Sequence, residues 1–512
     1  MRRTLTFFAS AVIAGSAFAQ AGGTEMTRVI VAYKPGTVQQ IRQAVASARG
    51  SVALEIHGMD AMAVNVPSQA IRGLARNPNV AYVEEDVKRY PFGTGWTPSA
   101  APYQSGQKVP YGIKMVQADQ LSDGSAGTRT VCIIDSGYQL SHEDLAQNNV
   151  NGTNVSGTGL WSTDESGHGT HVAGTIAAMN NSGVGVVGVA PNKALKLHII
   201  KVFGADGWAY TSTLTSAAQL CKTAGANIIS MSLGGSFKSR TEETAFASLL
   251  SGGILPIAAA GNGGNSTTSY PAGYASVVSV AAVDENEAWA TFSQYNKDVE
   301  ISGPGVNVLS TVPMGSGKES GLTVGATAYQ PGGMDGSPVK TATAPLFDFG
   351  SGVAVNQNAA GKICLISRGA DSFAVLVSNC QASGGVGAVV YNNVAGGFGG
   401  TLGTTITNIP SVTASDTEGA AMKGQIGQNA TVAVTATNYA FFDGTSMATP
   451  HVSAVAALVW SYQTNCSATQ VRNALNATAK NLGPAGRDTK FGWGLVQAVA
   501  AKNRLTNGKC GA

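Results

Sequence analysis

TVCIIDSG, residues 130–137, reads as a buried strand of β-branched residues that ends on an acid, Asp135. Three more near-continuous apolar runs follow it: LHIIKVF (197–203), NIISMSL (227–233) and ILPIAAA (254–260). Runs that are apolar on both faces suit a parallel sheet covered on both sides. Helical patterns at about 168–180, 212–224 and 241–251 lie between them. The alternation predicts a three-layer α/β fold, in which side chains at C-terminal strand ends emerge into a crevice.

Asp135 then finds two partners. SGHGTHVAGTIAAM (166–179) places His168 at the start of an apolar helical pattern, and DGTSMATPHVSAVAALVW (443–460) does the same for Ser446. A hydroxyl at a helix start lies beside free backbone N–H groups and the positive end of the dipole, which favour the negative charge of acyl transfer. A serine also needs a base, and the base an orienting group. Taken singly, each residue has a plainer role: an acid at a strand end forms turns, and a serine before a helix caps it. Agreement of several motifs in order outweighs those readings.

The chain order Asp, His, Ser is the one subtilisin uses, and the segments quoted resemble the subtilase family of serine endopeptidases. The resemblance implies Asp135 as orienter, His168 as general base and then acid, and Ser446 as covalent nucleophile. It implies Asn262, in LPIAAAGN, as an oxyanion donor beside the Ser446 N–H. SLGG, residues Ser232, Leu233, Gly234 and Gly235, matches the segment whose backbone pairs with substrate as a strand. His171 and His451 do not match triad positions. HGTH keeps an imidazole where the acid-active sedolisins carry glutamate, which points to neutral or alkaline working pH. A lipase of the α/β-hydrolase type would need the order Ser, Asp, His. The alternative from another class is a catalytically silent binding protein on the same scaffold, which would most readily have lost Asp135, His168 or Ser446. Neutral residues around Gly263 predict an apolar or aromatic preference at the cleaved bond.

Composition fits a secreted enzyme with more than one core. The chain has 512 residues, 12% of them charged, 65 glycines and 44% hydrophobic content, which makes it loop-rich but foldable. A net charge of +3 argues against nucleic acid or an anionic membrane as partner. Arg2 and Arg3, the apolar stretch Leu5–Phe18 and Ala17-Phe18-Ala19 read as a signal peptide, residues 1–19. No second apolar segment long enough for a membrane anchor follows, so the expectation is a secreted, unanchored protein acting as a monomer on protein and peptide substrates. Six cysteines suit an oxidising compartment and allow 15 pairings. Proximity suggests Cys364 with Cys380 and Cys466 with Cys510, leaving Cys132 and Cys221 to stay buried as thiols or, as expected here, to pair across a strand and a flanking helix.

Outside the catalytic segments (111–319 and 438–512) three regions stand apart. Residues 27–90 read strand, helix, strand, helix, strand, with Ser68 able to cap the second helix, and are similar to the small α+β prodomain that inhibits subtilases intramolecularly. Residues 91–110, rich in proline and glycine, read as an exposed linker carrying a maturation site. Residues 320–437, with KICLISRG and GAVVYNN, resemble a β-rich protease-associated (PA) domain, expected to border the crevice and select large substrates. Asp144 and Asn181 match the family's first calcium site, implying structural Ca2+ and no cofactor for catalysis. Asn151 and Asn476 lie in N-x-S/T sequences.

Overall fold

The computed structural model describes residues 25–92, 106–181, 183–204, 206–508 and 510. The expected signal peptide and most of the expected linker lie outside the described residues.

The N-terminal unit is one sheet with two helices. Strands β1 (Met26–Tyr33), β2 (Ser51–Glu55), β3 (Ala61–Pro67) and β4 (Val80–Glu85) form the order β2-β3-β1-β4, with helices α1 (Val38–Ser47) and α2 (Ile71–Ala75). Ile41 and Val45 of α1 pack on Val29, Val31, Met62 and Val64. Both faces of β3 are buried. The second face of the sheet is held against the next domain, where Tyr82 Oη meets Thr241 Oγ1 at 3.1 Å and His57 Nε2 meets Thr223 Oγ1 at 3.1 Å. Ser68 does not cap α2; its hydroxyl bonds Glu25 O at 3.0 Å, and the chain passes through a 3₁₀ turn instead.

The central domain contains α3 (Tyr111–Met115) and a wholly parallel sheet. Its strands are β6 (Thr130–Asp135), β7 (Asn149–Asn154), β8 (Lys196–Lys201), β10 (Ile228–Met231), β12 (Leu255–Ala259), β13 (Val278–Val283) and β14 (Ile301–Pro304), ordered β14-β13-β12-β10-β6-β8-β7. Alternate residues feed two cores, which is what makes three layers. Ile133, Ile199, Ile228 and Ile257 face α4 (His168–Ala177) and α9 (Thr445–Ser461). Cys132, Ile134, Ile200 and Ile229 face α5 (Thr211–Thr223) and α6 (Arg240–Ser251). Helices α10 (Ala468–Thr478) and α11 (Ala498–Asn507) pack beside α9.

A hairpin-like stem leads into a second sheet. Strands β15 (Val308–Thr311) and β25 (Tyr439–Phe442) pair antiparallel. Beyond them lie β16 (Gly317–Val324), β17 (Thr327–Tyr329), β19 (Lys340–Gly350), β20 (Ile363–Ser367), β21 (Gly387–Tyr391), β23 (Ser411–Ala414) and β24 (Asn429–Thr437). The order is β17-β16-β24-β19-β20-β21-β23, antiparallel as far as β19 and parallel from β19 to β23. A small parallel pair, β18 (Met334–Asp335) with β22 (Gly400–Thr401), and helices α7 (Phe373–Ala382) and α8 (Asp416–Lys423) complete this α/β unit. Disulfides join Cys132 to Cys221, Cys364 to Cys380 and Cys466 to Cys510. Among the described residues no helix is long and apolar enough to cross a membrane.

Candidate active site

Strand β6 ends on Asp135, fully buried, and α4 begins on His168. His168 Nδ1 and Asp135 Oδ1 are 2.7 Å apart, and Ser136 N–H donates to the same oxygen at 2.7 Å. Gly169 lets this helix start press on the strand end, because a Cβ there would lie 2.3 Å from Gly137 O. Asp164, which the sequence reading passed over, fixes the approach. It accepts from Ser166 N–H and Gly167 N–H at one oxygen and from Thr170 N–H and Oγ1 at the other. Its signal was available as an acid two residues before a Ser-Gly turn. Burial disfavours the charged imidazole of His168, but the charge and hydrogen bond of Asp135, with the charge of Asp164, outweigh it and raise the pKa above the ordinary histidine value.

The other two histidines of these motifs are structural. His171 Nε2 bonds Val308 O and Ala440 O, and burial pushes it down to about 3. His451 Nδ1 bonds Met447 O, and burial lowers it to about 4.

Ser446 is the second residue of α9, whose preceding Gly444 has φ 154°. Its Oγ donates to Ser232 O at 2.9 Å, while Ser232 Oγ donates to Ser446 O at 2.7 Å. No hydrogen bond joins Ser446 Oγ to His168; the Nε2 of His168 is buried without a hydrogen-bond partner among the described residues. The structure thus bonds Asp135 to His168 and leaves the His168–Ser446 link open. With the Nδ1 proton held by Asp135, Nε2 is the nitrogen with a free lone pair.

Asn262 follows β12 in an Ala260-Gly261 turn. Its Oδ1 accepts from Thr445 N–H at 2.9 Å and Thr445 Oγ1 at 2.8 Å, which turns Nδ2 outward. That Nδ2 and the Ser446 N–H both donate to Phe92 O, at 3.0 and 3.2 Å.

Pro91 and Phe92 open the segment read from sequence as exposed linker, residues 91–110. Pro91 instead closes strand β5 (Lys88–Pro91), the middle strand of a three-stranded sheet between β9 (Ala209–Tyr210) and β11 (Leu233–Gly234). Leu233 pairs with Pro91, Gly234 with Tyr90, and Phe92 N–H donates to Ser232 O at 3.1 Å. Gly235 continues this edge by bonding Tyr270 and could not carry a side chain, since a Cβ would meet Lys88 O at 2.7 Å. A Cβ on Gly234 would lie 2.5 Å from the Phe92 ring, so glycine gives the ring its room. The cavity beside the tail is lined by the uncharged Phe92, Gly234, Asn262, Gly263 and Asn265 and also by charged residues of the N-terminal unit and tail, Glu25, Arg28, Glu85, Asp86 and Lys88.

Two carboxylates of the N-terminal unit seat this tail by capping helices of the central domain. Asp86 accepts from Ser212 N–H and Oγ and from Thr211 Oγ1 at the start of α5, and pairs with Arg28 Nε at 2.7 Å. Glu84 accepts from Arg240 N–H, Thr241 N–H and Ser239 Oγ at the start of α6. Negative groups are favoured at these positive helix ends.

Asp144 and Asn181 lie together. Asp144 is buried and accepts from Asn181 Nδ2 at 2.5 Å and Val186 N–H at 2.8 Å, and burial raises its carboxyl. Gln107, not foreseen, donates to Asn181 Oδ1 at 3.2 Å and Met179 O at 3.0 Å.

Within three-layer α/β folds, a peptide seated as an added strand over a helix-start serine is the arrangement of the subtilisin-like serine peptidases. Comparison with known proteins agrees. The model of the subtilase family matches residues 127–337 and 355–494, and the chain belongs to that family. It is 36% identical over 315 residues to subtilisin NAT of Bacillus subtilis subsp. natto, covering 58% of this chain and 77% of that protein. The crystal structure of the psychrophilic subtilisin-like protease Apa1 from the Antarctic psychrotroph Pseudoalteromonas sp. AS-11 superposes with a TM-score of 0.63 at 45% identity, over 79% of this chain and 99% of that one. Fervidolysin from Fervidobacterium pennivorans shares the fold, with a TM-score of 0.61 at 23% identity over 95% of this chain and 62% of that chain. This protein is a subtilisin-like serine peptidase acting on proteins.

Proposed function

We propose that this peptidase is secreted as a self-processing zymogen, with Ser446 as nucleophile, His168 as general base and then acid, Asp135 as orienter, and Asn262 with the Ser446 N–H as oxyanion donors. One observation carries the reading: the Phe92 carbonyl oxygen accepts from two donors that approach from α9 and from the turn after β12. Donors placed on a carbonyl in a strand-bound peptide stabilise the oxyanion that forms when that carbon is attacked. Ser446 Oγ would turn from Ser232 O toward the bare His168 Nε2, lose its proton there and attack. The imidazolium, held by Asp135, returns the proton to the leaving amine, and water then cleaves the acyl-enzyme by the same steps.

The tail itself is the first substrate. Phe92 in the S1 position makes Phe92–Gly93 the maturation bond, and residues 27–92 stay bound as an intramolecular inhibitor through β5, Glu84 and Asp86. Purification from culture medium, with N-terminal sequencing, tests this. The wild-type enzyme is expected to begin at Gly93 and to take a fluorophosphonate label, while Ser446→Ala retains residues 27–92 in the same chain and takes no label. A mature start elsewhere, or processing by Ser446→Ala, overturns it.

The second sheet sits where it can select substrates. Lys318 and Asp335 line a cavity with Ser166 and Gly167, immediately before His168. We assign this PA-like unit the role of favouring large proteins over short peptides.

A structural Ca2+ fits the Asp144 cluster. Rotation of the Asn181 and Gln107 amides would present two oxygens beside the buried carboxylate, the hard donors this cation prefers. The ion would neutralise Asp144 and tie the loop at 180–187 to the start of the domain. Calorimetry with and without a strong chelator checks it: a lower melting temperature after chelation is expected, and an unchanged one removes calcium from the account.

A further inference from the structure

The tail residue that is buried most deeply is charged. Counting back from Phe92 as P1, Arg89 is P4, and its side chain and that of Glu242 are both fully buried. Arg89 Nε and Nη2 donate to the two oxygens of Glu242 at 3.2 and 2.6 Å, and Nη2 also donates to Phe237 O at 2.9 Å. Tyr274 Oη donates to Glu242 Oε2 at 2.7 Å.

Glu242 has an ordinary role open to it and does not take it. Ser239 caps α6 by accepting from Glu242 N–H, and a glutamate three residues after the cap commonly reaches back to the cap's own N–H. Here Ser239 N–H goes to Tyr274 Oη at 2.9 Å instead. The carboxylate is thereby turned into the pocket. Once the tail leaves, Tyr274 is its one remaining side-chain partner among the bonds described above, and a carboxylate in such a place is costly without a matching cation.

We propose that Glu242 is the specificity residue of an acidic S4 pocket, and that the mature enzyme selects substrates with arginine at P4 and an aromatic residue at P1. The guanidinium fork meets both carboxylate oxygens and neutralises their charge; an ammonium group lacks the fork and a neutral side chain lacks the charge. This inference rests on the placement of Phe92 as P1 proposed above. It also makes the N-terminal unit a self-matched inhibitor: Arg89 fills in cis the pocket that later reads substrates.

The test uses the full chain, expressed and allowed to process, on acetyl-X-Tyr-Pro-Phe-aminomethylcoumarin with X as arginine, citrulline, leucine or glutamate. Arginine is expected to exceed citrulline and leucine in kcat/KM by roughly 30- to 100-fold, with glutamate poorest; breaking a fully buried pair would cost more, but the empty pocket admits water. In Glu242→Gln the arginine-to-leucine ratio should fall to within about 3-fold of unity. The citrulline arm needs no variant and so does not depend on how that variant folds. Wild-type enzyme that cleaves citrulline or leucine peptides as fast as the arginine peptide overturns the S4 assignment alone. Failure to cleave any of the four, with a mature start other than Gly93, overturns the P1 placement and this inference together.

Discussion

Two seven-stranded sheets occur in this chain, each with a disulfide from an inner strand to a flanking helix, β6 to α5 in one and β20 to α7 in the other. They differ in what their edges carry. In the central sheet all strands run the same way, so β6, β10 and β12 deliver Asp135, Ser232 and Asn262 to one side, facing the starts of α4 and α9. In the second sheet neighbouring strands alternate in direction from β17 to β19, and only the neighbours β19, β20, β21 and β23 pair in parallel. The residues after β20 and β21, Arg368 and Asn392, bond each other at 3.1 Å, and the guanidinium lies 4.7 Å over the Phe398 ring. All six histidines of the chain lie outside 317–437. A parallel edge supplies a crevice, but acyl transfer also needs an imidazole and a helix start pointed into it.

That contrast breaks most directly at Ser446. Ser446→Ala should lower kcat on a protein substrate by roughly 10^6, the magnitude measured for subtilisin itself. Residual activity within ten-fold of wild type would move the nucleophile elsewhere. Asn262→Ala should cost about 10^2 to 10^3 in kcat, again the subtilisin value. A loss as large as that of Ser446→Ala would give the asparagine another role.

The two disulfides sharpen the comparison by stability. They close sequence separations of 89 and 16 residues. Loop-closure entropy then makes the Cys132→Ala, Cys221→Ala pair lose about 4.6 kcal/mol and the Cys364→Ala, Cys380→Ala pair about 3.1 kcal/mol. Denaturant unfolding should show that order, and equal losses would mean that strain or residual structure outweighs loop length.

His168 titrates above the ordinary histidine value because, against the lowering effect of burial, the charge and hydrogen bond of Asp135 and the charge of Asp164 prevail. A general base works when neutral, so the acid limb of kcat/KM should fall above pH 6.5, activity being lost as pH drops through it. Asp135→Asn removes the largest raising influence and should shift that limb downward while kcat falls. A limb that stays put would detach it from His168. The smallest effect is expected from the second sheet. Lys318 pairs with Ala436 and Gly317 with Thr437 at its root, so residues 319–435, between those pairs, can be replaced by a short turn. Rates on tetrapeptides should then change less than about 3-fold, while rates on large proteins change more. An identical ratio for both substrate classes would leave the unit as a spacer.

The central helices and strands were legible because their signals are local. Expected helices at 168–180, 212–224 and 241–251 correspond to His168–Ala177, Thr211–Thr223 and Arg240–Ser251. Strand β13 was passed over although its whole span is buried, since a short apolar run beside turns is ambiguous in periodicity. The tail was misread for a different reason. Pro91 and Gly93 are loop formers, and nothing near them in sequence reveals that Leu233 and Gly234 will supply an edge.

What the sequence alone determined is the set of reactive residues and the elements that carry them, because β-branched runs, helix starts and Gly-flanked motifs act within a few residues of themselves. What only the tertiary structure decided is which groups meet. Phe92 O reaches Asn262 and Ser446, Glu84 and Asp86 cap helices more than a hundred residues away, and Glu242 turns from its own helix cap to Arg89. Those pairings depend on distances across the fold, and a one-dimensional pattern does not encode them.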